Sequence, residues 1–338
     1  MKRFTLIVCT YKRAEPLKTL LNSVAEQTLY PDEILIVDGS PDNETRDMLS
    51  HNSYANLAYF HVPPEHRGLT RQRNFGIERV DAASDIVCFL DDDIVLTQTY
   101  FEQLISTYDT LPDAWGVGGY IINEIQSTPV SEGYIPKSDE YVYDGWKRKD
   151  GPRFVVRKML GLDADVPPGF TPAFSHGRSV GFLPPSGKTY QTGTLMGGVS
   201  SFRKDVFNHF RFSPYFEGYG LYEDADFTIR VAKSGNLYCN TAATLLHYHH
   251  PSGRPNQFGY GRMVVRNGWY VWRVFNRKPS ANAVWKWHAI TFLLMIIRFG
   301  NVLTTRERRA ALSEALGRFS GWLSLLYNLP KITDYGKD

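Results

Sequence analysis

Three consecutive acids, Asp91, Asp92 and Asp93, follow directly on the apolar run IVCFL. In an extended chain alternate residues share a side, so Asp91 and Asp93 converge while Asp92 points away. Carboxylates this crowded repel unless a cation or a hydrogen-bond network offsets the repulsion. Such oxygen ligands suit Mg²⁺ or Mn²⁺, ions commonly held by one or two carboxylates together with phosphate oxygens. An acidic loop capping the following helix is the alternative, but a cap requires one Asp and not three. Polar groups also stand after two earlier apolar runs: Thr10, Tyr11, Lys12 and Arg13 after the first, Asp38-Gly39-Ser40 after the second. Alone, Asp38 reads as a strand-ending turn. Gly197-Gly198 would let backbone approach a ligand closely, with core packing as the rival explanation. His247 and His249 alternate along TLLHYHH and share one face, with His250 opposite.

These residues need a scaffold that brings strand ends together. Phe4–Thr10, Glu33–Asp38, Leu57–His61, 85–90 and 115–122 read as strands, the longest of them continuously apolar. Helical patterns fall between them over 16–26, 45–50, 69–80 and 99–108. Buried, non-alternating strands that alternate with helices predict an α/β fold whose parallel sheet is covered on both faces. Ligands of such sheets bind at the carboxyl ends of the strands, where Thr10, Asp38 and Asp91 all fall. From 123 to about 191 periodicity fails and Pro, Gly and aromatics dominate, which predicts a substrate-covering excursion and not disorder. A helix over 222–234 and a strand over 243–248 then resume the core, and 257–327 reads as three helices. The expected division is 1–122, 123–255 and 256–338.

The 338 residues carry a formal net charge of +3, too small for a nucleic-acid-scale basic field. Aromatics make up 14%, and flat rings suit both sugar faces and membrane interfaces. Cys9, Cys88 and Cys239 are scattered, two of them within apolar runs, which fits reduced core residues in a cytoplasmic protein. The N-terminus enters a strand with no cleavable apolar signal. The longest helix-like apolar stretch, 287–297, is short of the roughly 20 residues a spanning helix needs.

The ordered segments VCTYKR (8–13), VDGSPDN (37–43), RGLTRQRNFGI (67–77), FLDDD (89–93), GGVSSFRKDVF (197–207) and FEGYGLYEDADFTIR (216–230) resemble the motif series of family-2 glycosyltransferases. The resemblance covers roughly 2–248 and rests on the order and spacing of motifs that are individually weak. It implies a GT-A fold, Rossmann-like with a mostly parallel central sheet and flanking helices, to which a C-terminal helical extension is added here. It also implies an inverting transfer of a sugar from a nucleoside-diphosphate sugar (UDP-, dTDP- or GDP-linked) to a hydroxyl acceptor.

Carried over residue by residue, Asp38 resembles the group that binds the donor's base, with Thr10, Tyr11 and Arg13 lining the same pocket. Arg73 is expected near the nucleotide and the acidic motif. Arg71 is extra, suited to neutralising diphosphate or else a surface charge. Asp91, with Asp92 beside it, is expected at the donor, and Asp93 at the metal. Met196, Gly197 and Gly198 would lie beneath the sugar, on the acceptor side. Glu223 and Asp224 point about 100° apart on a helix and cannot share one job. The resemblance makes Asp224 the general base, and its place in a first helical turn favours the ionised carboxylate. Glu223 is expected to position the acceptor or hold a backbone amide, and Asp226 with Arg230 to form a structural ion pair. His247, or His249 in its place, is the expected remaining metal ligand.

The tail departs from the shared core. Trp269, Trp272, Arg273, Trp285, Lys286 and Arg298 mix aromatic anchors with cations, followed by Arg306-Glu307-Arg308-Arg309. Such helices suit the plane of an anionic membrane surface, with helix packing or a dimer face as alternatives. A peripheral position on the inner membrane face would fit a glycan or lipid-linked acceptor in cell-surface polysaccharide synthesis. TYKRAEP lacks the glycines that a nucleotidyltransferase or nicotinamide dehydrogenase places after its first strand. A non-catalytic sugar-binding module on the same fold is the remaining alternative.

Overall fold

The computed structural model describes residues 2–124, 126–216, 218–249 and 256–333. The first strands form where the apolar runs predict them: β1 (Phe4–Thr10), β2 (Glu33–Asp38), β3 (Leu57–His61) and β4 (Ile86–Leu90). Between them lie α1 (Ala14–Ala25), α2 (Glu44–Ser50) and α3 (Leu69–Ile77). Then follow β5 (Ile94–Leu96), α4 (Tyr100–Thr110) and β6 (Ala114–Ile121). The stretch expected as irregular holds a small three-stranded sheet, β7 (Ser127–Pro129), β8 (Glu140–Tyr143) and β9 (Trp146–Lys149), and then α5 (Pro152–Met159). β10 (Thr189–Thr192), β11 (Val199–Arg203), α6 (Glu223–Ala232) and β12 (Asn236–His247) complete the large sheet's region. The tail is α7 (Gln257–Phe275), α8 (Ala281–Thr304) and α9 (Arg308–Ser324).

The large sheet has the order β10-β12-β6-β11-β4-β1-β2-β3, with β5 paired to β12. β1, β2, β3 and β4 pair in parallel, as do β6 and β12. β11 runs antiparallel to both β4 and β6 and joins the two parallel groups. Two reversals restore direction, so β4 and β6 point the same way. The carboxyl ends of β1, β2, β4, β6 and β12 therefore share one rim, together with the amino end of β11. One face buries Phe4, Leu6, Val8, Leu20 and Tyr100 under α1 and α4. The other buries Ile7, Val37, Phe89, Phe202 and Phe227 under α3 and α6. Cys88 and Cys239 are buried and Cys9 is half-buried, all as free thiols.

Two compact units emerge. One holds 1–125 and 185–254 and contains the large sheet; the other holds 126–184 and 255–334. The excursion thus groups with the C-terminal helices, unlike the three-part expectation. In the second unit Trp269, Trp272, Trp287 and Ile290 form a core around α7 and α8. A further expectation is corrected here: α8 runs 24 residues and is long and apolar enough, by length and composition, to cross a membrane. Arg298 does not end the helix because it pairs with Glu314 of α9 at 2.6 Å.

Candidate functional site

The rim gathers the predicted residues because strand direction delivers them there. The Asp91 N–H donates to the Gly198 carbonyl at 3.0 Å, continuing the β4–β11 ladder by one step. The Gly197 N–H donates to Asp224 Oδ2 at 3.1 Å. Consecutive glycines thus hold the backbone of one candidate ligand and the side chain of the candidate base. A side chain at either position would force a neighbouring acid to move. A Cβ on Gly198 would overlap the Asp91 carboxylate, and one on Gly197 would lie 2.6 Å from Glu223 Oε1. Their small size is required by close approach to the acids.

Asp91, Asp93 and His247 place their ligand atoms within 4.8 Å of one another. His247 Nε2 lies 3.1 Å from Asp93 Oδ1, and β12 brings it there from the last strand of the sheet. Two carboxylate oxygens and an imidazole nitrogen are a donor set that Mn²⁺ accepts readily, and Mg²⁺ less so. Desolvation at the crowded rim raises the Asp91 pKa, opposed by Arg73 and reinforced by Asp93. Its side chain remains 40% exposed, so it can still meet a ligand. Burial lowers the His247 pKa, but the hydrogen bond and charge of Asp93 outweigh this and hold it above the ordinary value.

Asp92 and Asp93 lie in the turn that follows β4, and Asp92 is buried beneath the rim. It accepts from Thr10 Oγ1 at 2.7 Å and from Arg13 Nη1 at 2.9 Å, and Arg13 also reaches Asp93 at 3.3 Å. Burial raises the Asp92 pKa to about 6 against the pull of Arg13 and Thr10. Of the residues expected at the donor, Asp92, Thr10 and Arg13 therefore brace the acidic loop from below. Tyr11 is 45% exposed at the same strand end. Asp38 is fully buried, accepting from the Ser40 N–H at 2.8 Å and the Tyr59 hydroxyl at 2.9 Å. Arg71 Nη1 donates to the Glu65 carbonyl at 2.7 Å.

Arg73 is buried on α3, 2.5 Å from Glu223 and 3.5 Å from Asp91, with its guanidinium over the rings of Phe89 and Phe212. Glu223, expected beside the acceptor, lies instead under the floor of the site. Its neighbour Asp224 is half-buried, since adjacent helical residues diverge. Tyr222, which starts α6, has a left-handed backbone (φ 69°), a cost of about 1–3 kcal/mol that sharply turns the chain into this helix. Asp226 and Arg230 form the expected ion pair at 2.7 Å.

Glu124 was not anticipated. It follows β6 at the same rim, its Oε1 2.7 Å from His249 Nε2 and 3.3 Å from His247 Nδ1. A lone Glu after a strand has no sequence pattern of its own; only strand order points to it. His249 and Glu124 form a second cluster with His247, while His250 lies outside the described residues.

Residues 5–161 match the model of glycosyl transferase family 2. The chain is 31% identical over 123 residues to a glucosyl-dolichyl phosphate glucuronosyltransferase of Haloferax volcanii, covering 36% of this chain and 38% of that one. It is 26% identical over 97 residues to the O-antigen chain rhamnosyltransferase RfbN of Salmonella typhimurium, covering 29% and 30%. It is 28% identical over 123 residues to the amylovoran biosynthesis glycosyltransferase AmsE of Erwinia amylovora, covering 35% and 45%. The chain thus spans less than half the length of each of these relatives.

Proposed function

Because residues 5–161 match the glycosyl transferase family 2 model, we propose that this chain is an inverting, metal-dependent glycosyltransferase. The donor would be a nucleoside-diphosphate sugar and the acceptor a hydroxyl of a glycan or lipid-linked glycan. The relatives' roles in polysaccharide and glycolipid synthesis support that acceptor class. One observation carries the reading: Asp224, half-buried, and Asp91, at the Asp91–Asp93–His247 cluster, are hydrogen-bonded to adjacent glycines. That arrangement would hold a proton acceptor beside a diphosphate-binding site.

Asp91, Asp93 and His247 would hold the divalent cation, which supplies charge neutralisation for the leaving diphosphate. The acceptor hydroxyl gives its proton to the Asp224 carboxylate as its oxygen bonds to the anomeric carbon. The bond from that carbon to the diphosphate oxygen breaks, and its electron pair leaves with the nucleoside diphosphate. A single displacement from the opposite face inverts configuration. Gly197 keeps Asp224 oriented, and Arg73 keeps Asp91 in place. Association with the cytoplasmic face of a membrane would bring the site to a lipid-linked acceptor.

The test is a screen of UDP-, dTDP- and GDP-sugars with Mn²⁺ or Mg²⁺, with product analysis at the anomeric carbon. Transfer abolished by chelation and restored by Mn²⁺ is expected. Transfer with retained configuration, or transfer indifferent to chelator, would contradict the proposal. Nucleotide-sugar binding with neither transfer nor hydrolysis would favour a binding module.

A further inference from the structure

α8 and α9 form an antiparallel pair whose inner charges are spent on one another. Glu314 is buried and pairs with Arg298 at 2.6 Å and Arg318 at 2.7 Å. Apart from Arg308 and Arg309 at the start of α9, the exposed residues of the two helices carry no charge. On α8 the exposed Phe292, Ile296, Phe299 and Leu303 follow spacings of four, three and four. On α9 the exposed Leu312, Leu316, Phe319 and Leu323 repeat the same spacing. At 100° per residue each set occupies an arc of only about 60°. The two stripes meet, because Phe292 and Phe319 both lie against Trp322, with ring centroids 6.2 and 6.5 Å away. The result is a two-helix apolar ridge about 17 Å long. Its most protruding member, Leu303, is 81% exposed.

Cations frame this ridge. Arg306, Arg308 and Arg309 are exposed at the turn between the helices. Residues 281–333 hold seven Lys and Arg against two Glu, an excess larger than that of the whole chain. Since Glu314 is already paired, Glu307 alone remains to answer those cations if a second copy were to dock by this face. We propose that the α8–α9 ridge is the seat of an anionic lipid bilayer, lying in its interface with the apolar stripe among acyl chains and the arginines at the headgroups. This deepens, and rests on, the membrane association proposed above.

α8 has the length and hydropathy of a spanning helix, and 17% of its most apolar stretch is buried, yet it is tied to its own unit along one side. Trp287, Ile290 and Met295 are buried, and Lys286 lies over the Phe174 ring at 4.7 Å. A helix sheathed on one side by its own unit and apolar on the other lies along a bilayer surface.

Co-sedimentation of the full chain with phosphatidylcholine vesicles, with and without phosphatidylglycerol, tests this. Wild type should sediment with the anionic vesicles and be released by salt. R306Q/R308Q/R309Q should weaken partitioning about a hundredfold, from the usual contribution of each basic residue at such a surface. I296Q/L303Q, at exposed positions and checked for folding by circular dichroism, should weaken it at least tenfold. Vesicle binding unaltered by both variants would overturn the ridge while leaving membrane association standing. No vesicle binding by wild type would overturn both. A dimer dissolved by I296Q/L303Q, with no vesicle binding, would assign the ridge to a second copy.

Discussion

Replacing Asp224 by Asn removes a charge and almost no volume. The carboxylate accepts two hydrogen bonds, from the Gly197 N–H at 3.1 Å and the Ala225 N–H at 2.7 Å. An amide keeps one acceptor oxygen, so one of these N–H groups loses its partner. Such a loss costs about 0.5–1.5 kcal/mol, and less where water can enter, as it can beside this half-buried side chain. The melting temperature should therefore fall by no more than about 2–6 °C for a chain of this size. The chemical loss should be far larger. A positioned general base contributes about 10²–10⁴-fold. That is about 3–5 kcal/mol of barrier at 1.36 kcal/mol per decade. Asp224 is absent from the cation-holding cluster, so nucleoside diphosphate should bind the variant with Mn²⁺ as it binds wild type. Single-turnover transfer and isothermal calorimetry on the same preparation measure the two quantities. Turnover within tenfold of wild type would remove Asp224 from the chemistry. A fall in nucleotide affinity as large as the fall in turnover would show that the residue acts in binding instead.

G198A inserts a Cβ against the Asp91 carboxylate and should weaken Mn²⁺ binding at least tenfold while costing about 1–3 kcal/mol of stability. Calorimetry with Mn²⁺ that shows unchanged affinity would mean Asp91 is not a ligand. H247A should raise the Mn²⁺ concentration needed for half-maximal transfer by about 10–100-fold or more, ligands mattering at least as much as their supporting residues. An unchanged metal requirement would transfer the role to His249 and Glu124. Burial raises the Glu223 pKa to about 8, against the pull of Arg73. A carboxyl whose folded pKa is raised favours the fold fully below its unfolded value near 4.5, and this is lost as pH rises through about 8. E223Q, which cannot ionise, should therefore gain stability relative to wild type between pH 5 and 9, measured by urea denaturation, and a pH-independent difference would refute the shift.

The strands that could be read most plainly from the sequence are those buried on both faces. β1 and β2 fall where their apolar runs do because burial decides their limits, while β3, a half-buried edge strand, also falls at its expected bounds. β11 and β10 escaped because VSSFR and TYQT are short and half polar, and an antiparallel filler needs no apolar run. β12 was expected only from residue 243, yet it starts at Asn236, since Asn240 and Thr241 satisfy their polar atoms on Thr107 and Lys188. At the site, Asp91 and Asp93 do converge with His247, but through the turn after β4 and not through strand alternation. Nor could local pattern show that Glu223 would be drawn under the floor by Arg73, 150 residues earlier in the chain. Long-range pairing of that kind leaves no local trace, and the same is true of Glu124.

The antiparallel strand between the two parallel groups also bears on how the chain can be cut. β11 pairs Val199 with Leu90, across more than a hundred residues, and Ser201 with Val117. The stretch matching the family ends at 161, before β10, β11 and β12 exist. A fragment ending there would leave β6 with neither of its neighbours and β4 with a bare apolar edge, an invitation to aggregate. Closing so long a loop is entropically slow. The segment that matches the family thus lacks the strands that complete its own sheet, which only the later part of the chain supplies.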